Sequence, residues 1–79
     1  MKARFPIGMQ FSKKANPKAK IDTLYTIEDI ILFQSVKTGE IVRIEYVVSH
    51  LFLGQKITEN VVDTTIARSL SNEQLKQYL

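Results

Sequence analysis

His50 is the only histidine in the chain, and the groups that could work with it are few. A general base needs a nucleophile to activate and an acid to orient it, all converging in one cleft. Ser49 and Ser71 lack the setting of a nucleophile elbow, and there is no cysteine. Glu28 and Asp29 are the only adjacent acidic pair, and neighbours on a strand point to opposite faces. A metal ion would need more His, Cys or clustered carboxylates than this. Gly8, Gly39 and Gly54 are scattered, so no phosphate-cradling loop is formed. These residues assign no catalytic group, no metal site and no cofactor, and they read as a protein that is not an enzyme.

Charge offers a different chemistry. Lys and Arg number 11 against 8 Asp and Glu, for a net charge of +3, but the balance is uneven. Residues 1–20 carry Lys2, Arg4, Lys13, Lys14, Lys18 and Lys20 with no acid, whereas residues 21–79 are net acidic. Small barrels bind nucleic acid by joining a basic track to exposed aromatic platforms. Lys13, Lys14, Lys18 and Lys20 supply the track, with Arg43 and Arg68 as additions. Aromatics do not interleave it: Phe11 stands at its edge, and Tyr25 and Tyr46 fall on core positions. A solvated lysine-rich loop that aids solubility is the plainer use of the same residues. Nucleic acid is thus the second partner class, behind a protein.

The elements that position these groups follow from periodicity. In residues 41–52 every even position is apolar or aromatic except His50, while Arg43, Glu45 and Ser49 are odd. A period of two marks an extended strand with one buried face. His50 then belongs to the core side, as a packed and hydrogen-bonded residue. Val47 and Leu51 lie on the nominally wet side, where they either pack under the C-terminal tail or meet a partner. Residues 4–12 alternate too, with Phe5, Ile7, Met9 and Phe11 in phase; Pro6 suits an edge strand. Residues 13–20 lack periodicity and contain an Asn16-Pro17 turn signal, so they read as a flexible basic loop.

Residues 21–36 form the next extended stretch. Tyr25 and Ile27 share a face, then Asp29 breaks the phase and Ile30, Ile31, Leu32 and Phe33 follow in a run. A β-bulge near Glu28–Asp29 restores the pattern; a short helix over residues 26–33 is the competing reading, disfavoured by the β-branched content. Residues 35–40, with Gly39, and residues 53–56 supply two tight turns, and residues 57–62 return as another strand. Asp63 caps a helical turn over residues 64–70, and Ser71 with Gln74 opens a second one that continues through Leu75 and Tyr78. Open sheet edges leave strand addition available, to a host protein or to a second copy as a homodimer.

At 79 residues there is room for a single domain with one modest core. The longest apolar run is too short for a bilayer, and no signal-peptide pattern is seen. A soluble cytoplasmic protein without membrane contact is the expectation. The order of elements resembles a small SH3-like barrel, a curled antiparallel meander plugged by a short helical turn; it implies a mainly β fold with five or nearly five strands. A second resemblance rests on Ile7-Gly8, Phe11, the run Thr38-Gly39-Glu40-Ile41-Val42-Arg43, Tyr46-Val47, His50, Phe52, Gly54-Gln55 and Thr65-Ile66-Ala67-Arg68. These are similar to a group of small uncharacterised proteins of tailed bacteriophages. That resemblance implies a phage or prophage origin and no established activity; the expectation set beside it is a small accessory protein that occludes a host protein in the host cytoplasm.

Overall fold

The computed structural model describes residues 2–79. Four strands follow one another in sequence and in space: β1 (Gln10–Lys13), β2 (Thr23–Gln34), β3 (Ile41–Phe52) and β4 (Gln55–Val62). All neighbours are antiparallel, in the order β1-β2-β3-β4. Two short helices, α1 (Asp63–Ser69) and α2 (Asn72–Lys76), complete the chain. The fold is the mainly β meander that the alternation demands, but with four strands and an open sheet. Neither described helix is long and apolar enough to cross a membrane.

The strand expected over residues 4–12 is shortened by a turn. Met9 N–H donates to the Pro6 carbonyl at 3.2 Å, and Gly8 supplies the positive φ of 92° that this turn needs. Gly8 and Met9 then stand together against Ile27: Gly8 N–H donates to the Ile27 carbonyl, and Ile27 N–H donates to that of Met9. Two residues facing one is a bulge with glycine in its left-handed first position. Phe5 and Phe11 stay buried across it, while Ile7 swings out to 60% exposure.

The bulge expected in β2 is present. Ile27 faces Val48 and Asp29 faces Val47, which leaves Glu28 as the extra residue. The inward parity switches there, from Tyr25 and Ile27 to Ile30 and Leu32. Residues 26–33 are strand throughout, so the helical alternative fails. A further irregularity lies at the start of β3, where Phe33 faces Arg43 but Gln34 faces Ile41. Val42 is looped out at 58% exposure and Ile41 packs against the core in its place. Phe52, at the far end of β3, is also 58% exposed. The even face of β3 is therefore core only from Ile44 to Val48, with His50 half-buried.

That core joins Phe5, Phe11, Tyr25, Ile27, Ile44, Tyr46, Val48 and Ile66. Phe5 is its keystone, with its ring 5.8 Å from Tyr46 and edge-on to Tyr78 at 5.5 Å. α1 lays Ile66 over the concave face and touches β1, β3 and β4. Asp63 is not the cap expected: Val62 holds the cap position without a side-chain bond. Asp63 is instead gripped by Arg4, whose Nε and Nη2 donate to its two oxygens at 2.9 and 2.7 Å. This fork ties the N-terminal segment down beside Phe5. Ser71 does form the expected box with Gln74, each side chain bonding the other's backbone. Leu75 and Tyr78 pack against the core, so the C-terminal segment is docked.

Candidate binding surface

An antiparallel meander sends its first and third connections out of the same end of the sheet. Here these are the basic loop of residues 14–22 and the turn of Leu53 and Gly54. Within the loop, the Asn16 side chain accepts from Lys18 N–H at 2.9 Å and its carbonyl accepts from Ala19 N–H at 3.1 Å. The turn around Pro17 holds Lys14, Lys18 and Lys20 in solvent, and none forms an ion pair among the described residues.

Lys13 has a different task. Its ammonium lies 2.9 Å from Glu59 on β4 and 4.3 Å above the Tyr25 ring. It crosses the concave mouth from one edge strand to the other. Burial by itself would lower its pKa, but bonding to Glu59 and the charges of Glu59 and Tyr25 outweigh that and hold it above the ordinary lysine value. Lys13 is a clasp, not a free cation.

A shallow groove of about 450 Å³ opens between β1, the loop and α1. Lys13, Lys14 and Arg68 line it with Ser12, Thr65, Ser69 and Asp22. Three basic residues singled out in the sequence are thus brought together, with hydroxyls between them and one acid opposing. Lys18 and Lys20 extend the same charge along the loop. Arg43 does not join: it faces Phe33 on β2, ten residues beyond the Thr23 that faces Lys13, or roughly 30 Å along the strand. Its Nε donates to Glu45 at 2.6 Å while Asn60 holds the other carboxylate oxygen. Arg43 and then Asn60 keep the Glu45 carboxyl below its usual range. Val47 is half-buried between Asp29 and Asn60 in mid-sheet, away from both connections.

The third connection exposes Leu51, as its place on the wet side of the strand predicts, and with it Phe52, which the alternation places in the core. Leu51, Phe52 and Leu53 are 72%, 58% and 89% exposed. Leu24 and Ile21 add to the same end at 55% and 79%. Leu53 has φ of 50° and Gly54 of 79°, both in the left-handed region. A two-residue hairpin with two positive φ angles prefers Asn-Gly or Asp-Gly. Leucine there costs about 1–2 kcal/mol in backbone strain. The signal was legible in principle: Leu-Gly stands where a turn former fits, and the leucine can only point into solvent.

His50 points inward, 4.7 Å from the Tyr25 ring. Its packing is as expected, but its Nδ1 is buried with no hydrogen-bond partner among the described residues. Those residues hold no group of three side chains able to ligate a metal. No family model, curated protein or solved structure matches the chain. The surface has to be read from its own chemistry.

Proposed function

We propose that this chain is a small non-enzymatic binding protein that docks onto a host protein through its loop end and occludes the surface it covers. The observation that carries this reading is the hairpin tip, where Leu51, Phe52 and Leu53 stand in solvent and Leu53 is held in a strained backbone conformation. Protein interfaces centre on a few apolar anchors that enter a pocket, surrounded by a polar rim. Lys14, Lys18 and Lys20 form such a rim, so the partner surface is an apolar pocket with acidic neighbours. The resemblance to small phage proteins supports a host protein as the partner, met in the host cytoplasm. The Lys13–Glu59 clasp and the seat of α1 across both edge strands support kinship with SH3-like small barrels.

A second reading has its own observation. The groove that joins Lys14 and Arg68 suits a phosphate backbone, and Phe52 lies exposed at the same end as a stacking surface. One experiment separates the two. The immobilised chain is exposed to host lysate with and without nuclease, beside a Leu51→Ser/Leu53→Asn variant. A single stoichiometric protein, retained after nuclease and lost with the variant, is the expected result. Loss on nuclease treatment transfers the assignment to nucleic acid. Equal capture by chain and variant rejects the loop end as the docking surface.

A further inference from the structure

The opposite end of the sheet carries a separate surface. Ile30, Ile31, Leu32 and Phe33 are consecutive, and consecutive strand residues point to opposite faces, so this run asks for cover on both. The fold provides it only at the root, where Ile30, Ile41 and Ile44 join the core. β1 pairs with β2 only over Thr23–Thr26, and the bulge at Gly8 reaches Ile27. β4 stops at Val62, opposite Glu45. Beyond these points β2 and β3 run on as a two-stranded arm, packed on the core at Ile30, Ile41 and Ile44 and bare from Leu32 outward. Apart from its ladder, the arm's described backbone bonds lie in its own turn, Ser35 to Glu40 and Gly39 to Ser35. Leu32, Phe33, Val36 and Val42 are 53%, 41%, 103% and 58% exposed. The radius of gyration, 13.8 Å, exceeds the about 12 Å of a compact domain of this length. A bare two-stranded ribbon is marginal in water.

We infer that the arm is a homodimer interface, in which the open edge of β2 pairs antiparallel with β2 of a second copy. Charge selects the occupant. The arm holds Asp29, Lys37, Glu40 and Arg43, which sum to zero, so two copies meet without repulsion. The loop end, with three unpaired lysines, would repel its own copy. Area agrees as well. At about 150–250 Å² for a large bare side chain, Leu32, Phe33 and Val36 offer on the order of 300–400 Å² per copy. Two copies then contribute about 600–800 Å² of side chain, and the backbone of the new ladder carries the total toward the roughly 1,000 Å² that a specific interface should clear. Pairing about Leu32 sets Leu32 against its copy on the axis and Ile31 against Phe33 on the outer face, with inward residues matched to inward ones. The contact is isologous and closes at two chains.

The test is mass in solution by sedimentation equilibrium over a micromolar range. Twice the 9.1 kDa of one chain is expected, and a chain that stays monomeric at 100-fold dilution series' upper limit overturns the inference. Leu32→Lys places like charges on the axis and should weaken the dimer at least tenfold; Leu32→Glu should do the same. Mixing the two variants should restore a dimer, which a misfolded chain could not do. A dimer that ignores Leu32→Lys, or a mixture that stays monomeric, rejects this interface. Leu53→Asn should leave the mass unchanged, so failure here and failure of the loop-end reading are told apart.

Discussion

Leu53 sets the stability of this fold against the docking proposed for it. In the turn from Phe52 to Gln55 both central residues have positive φ, and Leu53 is the non-glycine one. Left-handed backbone costs an ordinary side chain about 1–2 kcal/mol, and asparagine much less. At 89% exposure the leucine has almost no packing to lose. Leu53→Asn should therefore stabilise the chain by about 1 kcal/mol, which in a domain of this size raises Tm by about 4–8 °C. Leu53→Gly should gain less, because glycine adds about 0.5–1 kcal/mol of conformational entropy to the unfolded chain.

Thermal melts followed by circular dichroism should give the order Asn, then Gly, then Leu from most to least stable. Affinity for the captured partner should run the other way, falling at least tenfold for either variant as an interface anchor is removed. A lower or unchanged Tm for Leu53→Asn would show that the leucine is held by contacts within its own chain. A higher Tm with full affinity would remove the tip from the binding surface and leave its strain without a purpose.

Phe5→Ala should cost about 3–5 kcal/mol, since a fully buried ring at the junction of Tyr46 and Tyr78 is deleted. That is much of the about 4–12 kcal/mol available to 79 residues, and urea titration should find the variant largely unfolded. Acid should also weaken the fold. Glu28 beside Lys56 and Glu45 beside Arg43 have carboxyls below the ordinary 4.5, so their contribution is present above that pH and fades as pH falls through their folded values. Both lie at the surface, so the effect is small; a Glu28→Gln/Glu45→Gln variant should show a flatter decline of Tm below pH 4.5. If a polyanion is the ligand, replacing Lys14, Lys18, Lys20 and Arg68 by alanine should reduce the salt dependence of binding by up to four counterions, measured by titration at several salt concentrations.

Much of the scaffold was legible because its signals are local. The bulge at Glu28 showed as a phase break, since the polar Glu28 and Asp29 stand in succession, and the Ser71 box showed as a spacing. The turn at Pro6 did not, because Phe5, Ile7, Met9 and Phe11 keep a strand's spacing straight through it; only the Pro-Ile-Gly order hints at it. The looped-out Val42 was invisible for a plainer reason. Ile41 and Val42 are both apolar, so exchanging which one faces inward leaves no trace in the pattern. The candidate site divides in the same way. That residues 13–20 would expose lysines followed from composition, whereas the removal of Lys13 from that set depends on Glu59, which only the curl of the sheet brings near. The meeting of Lys14 with Arg68 depends on where α1 lands, and no periodicity encodes that.

The two ends of the meander follow opposite charge logic, and this has a geometric consequence. A surface with unpaired charge of one sign suits an unlike partner, while a neutral apolar arm with open edges suits its own copy. β2 runs from the loop end to the arm, so antiparallel pairing at its far end points the two loop ends away from each other. Each copy then keeps its Leu53 tip and its lysines clear of the dimer contact. In the proposed dimer, self-association and partner docking would not compete for surface, and two tips would face outward along one continuous sheet. A target with two or more copies of the matching pocket would be held far more tightly than a single site allows, because engaging one tip raises the local concentration of the other.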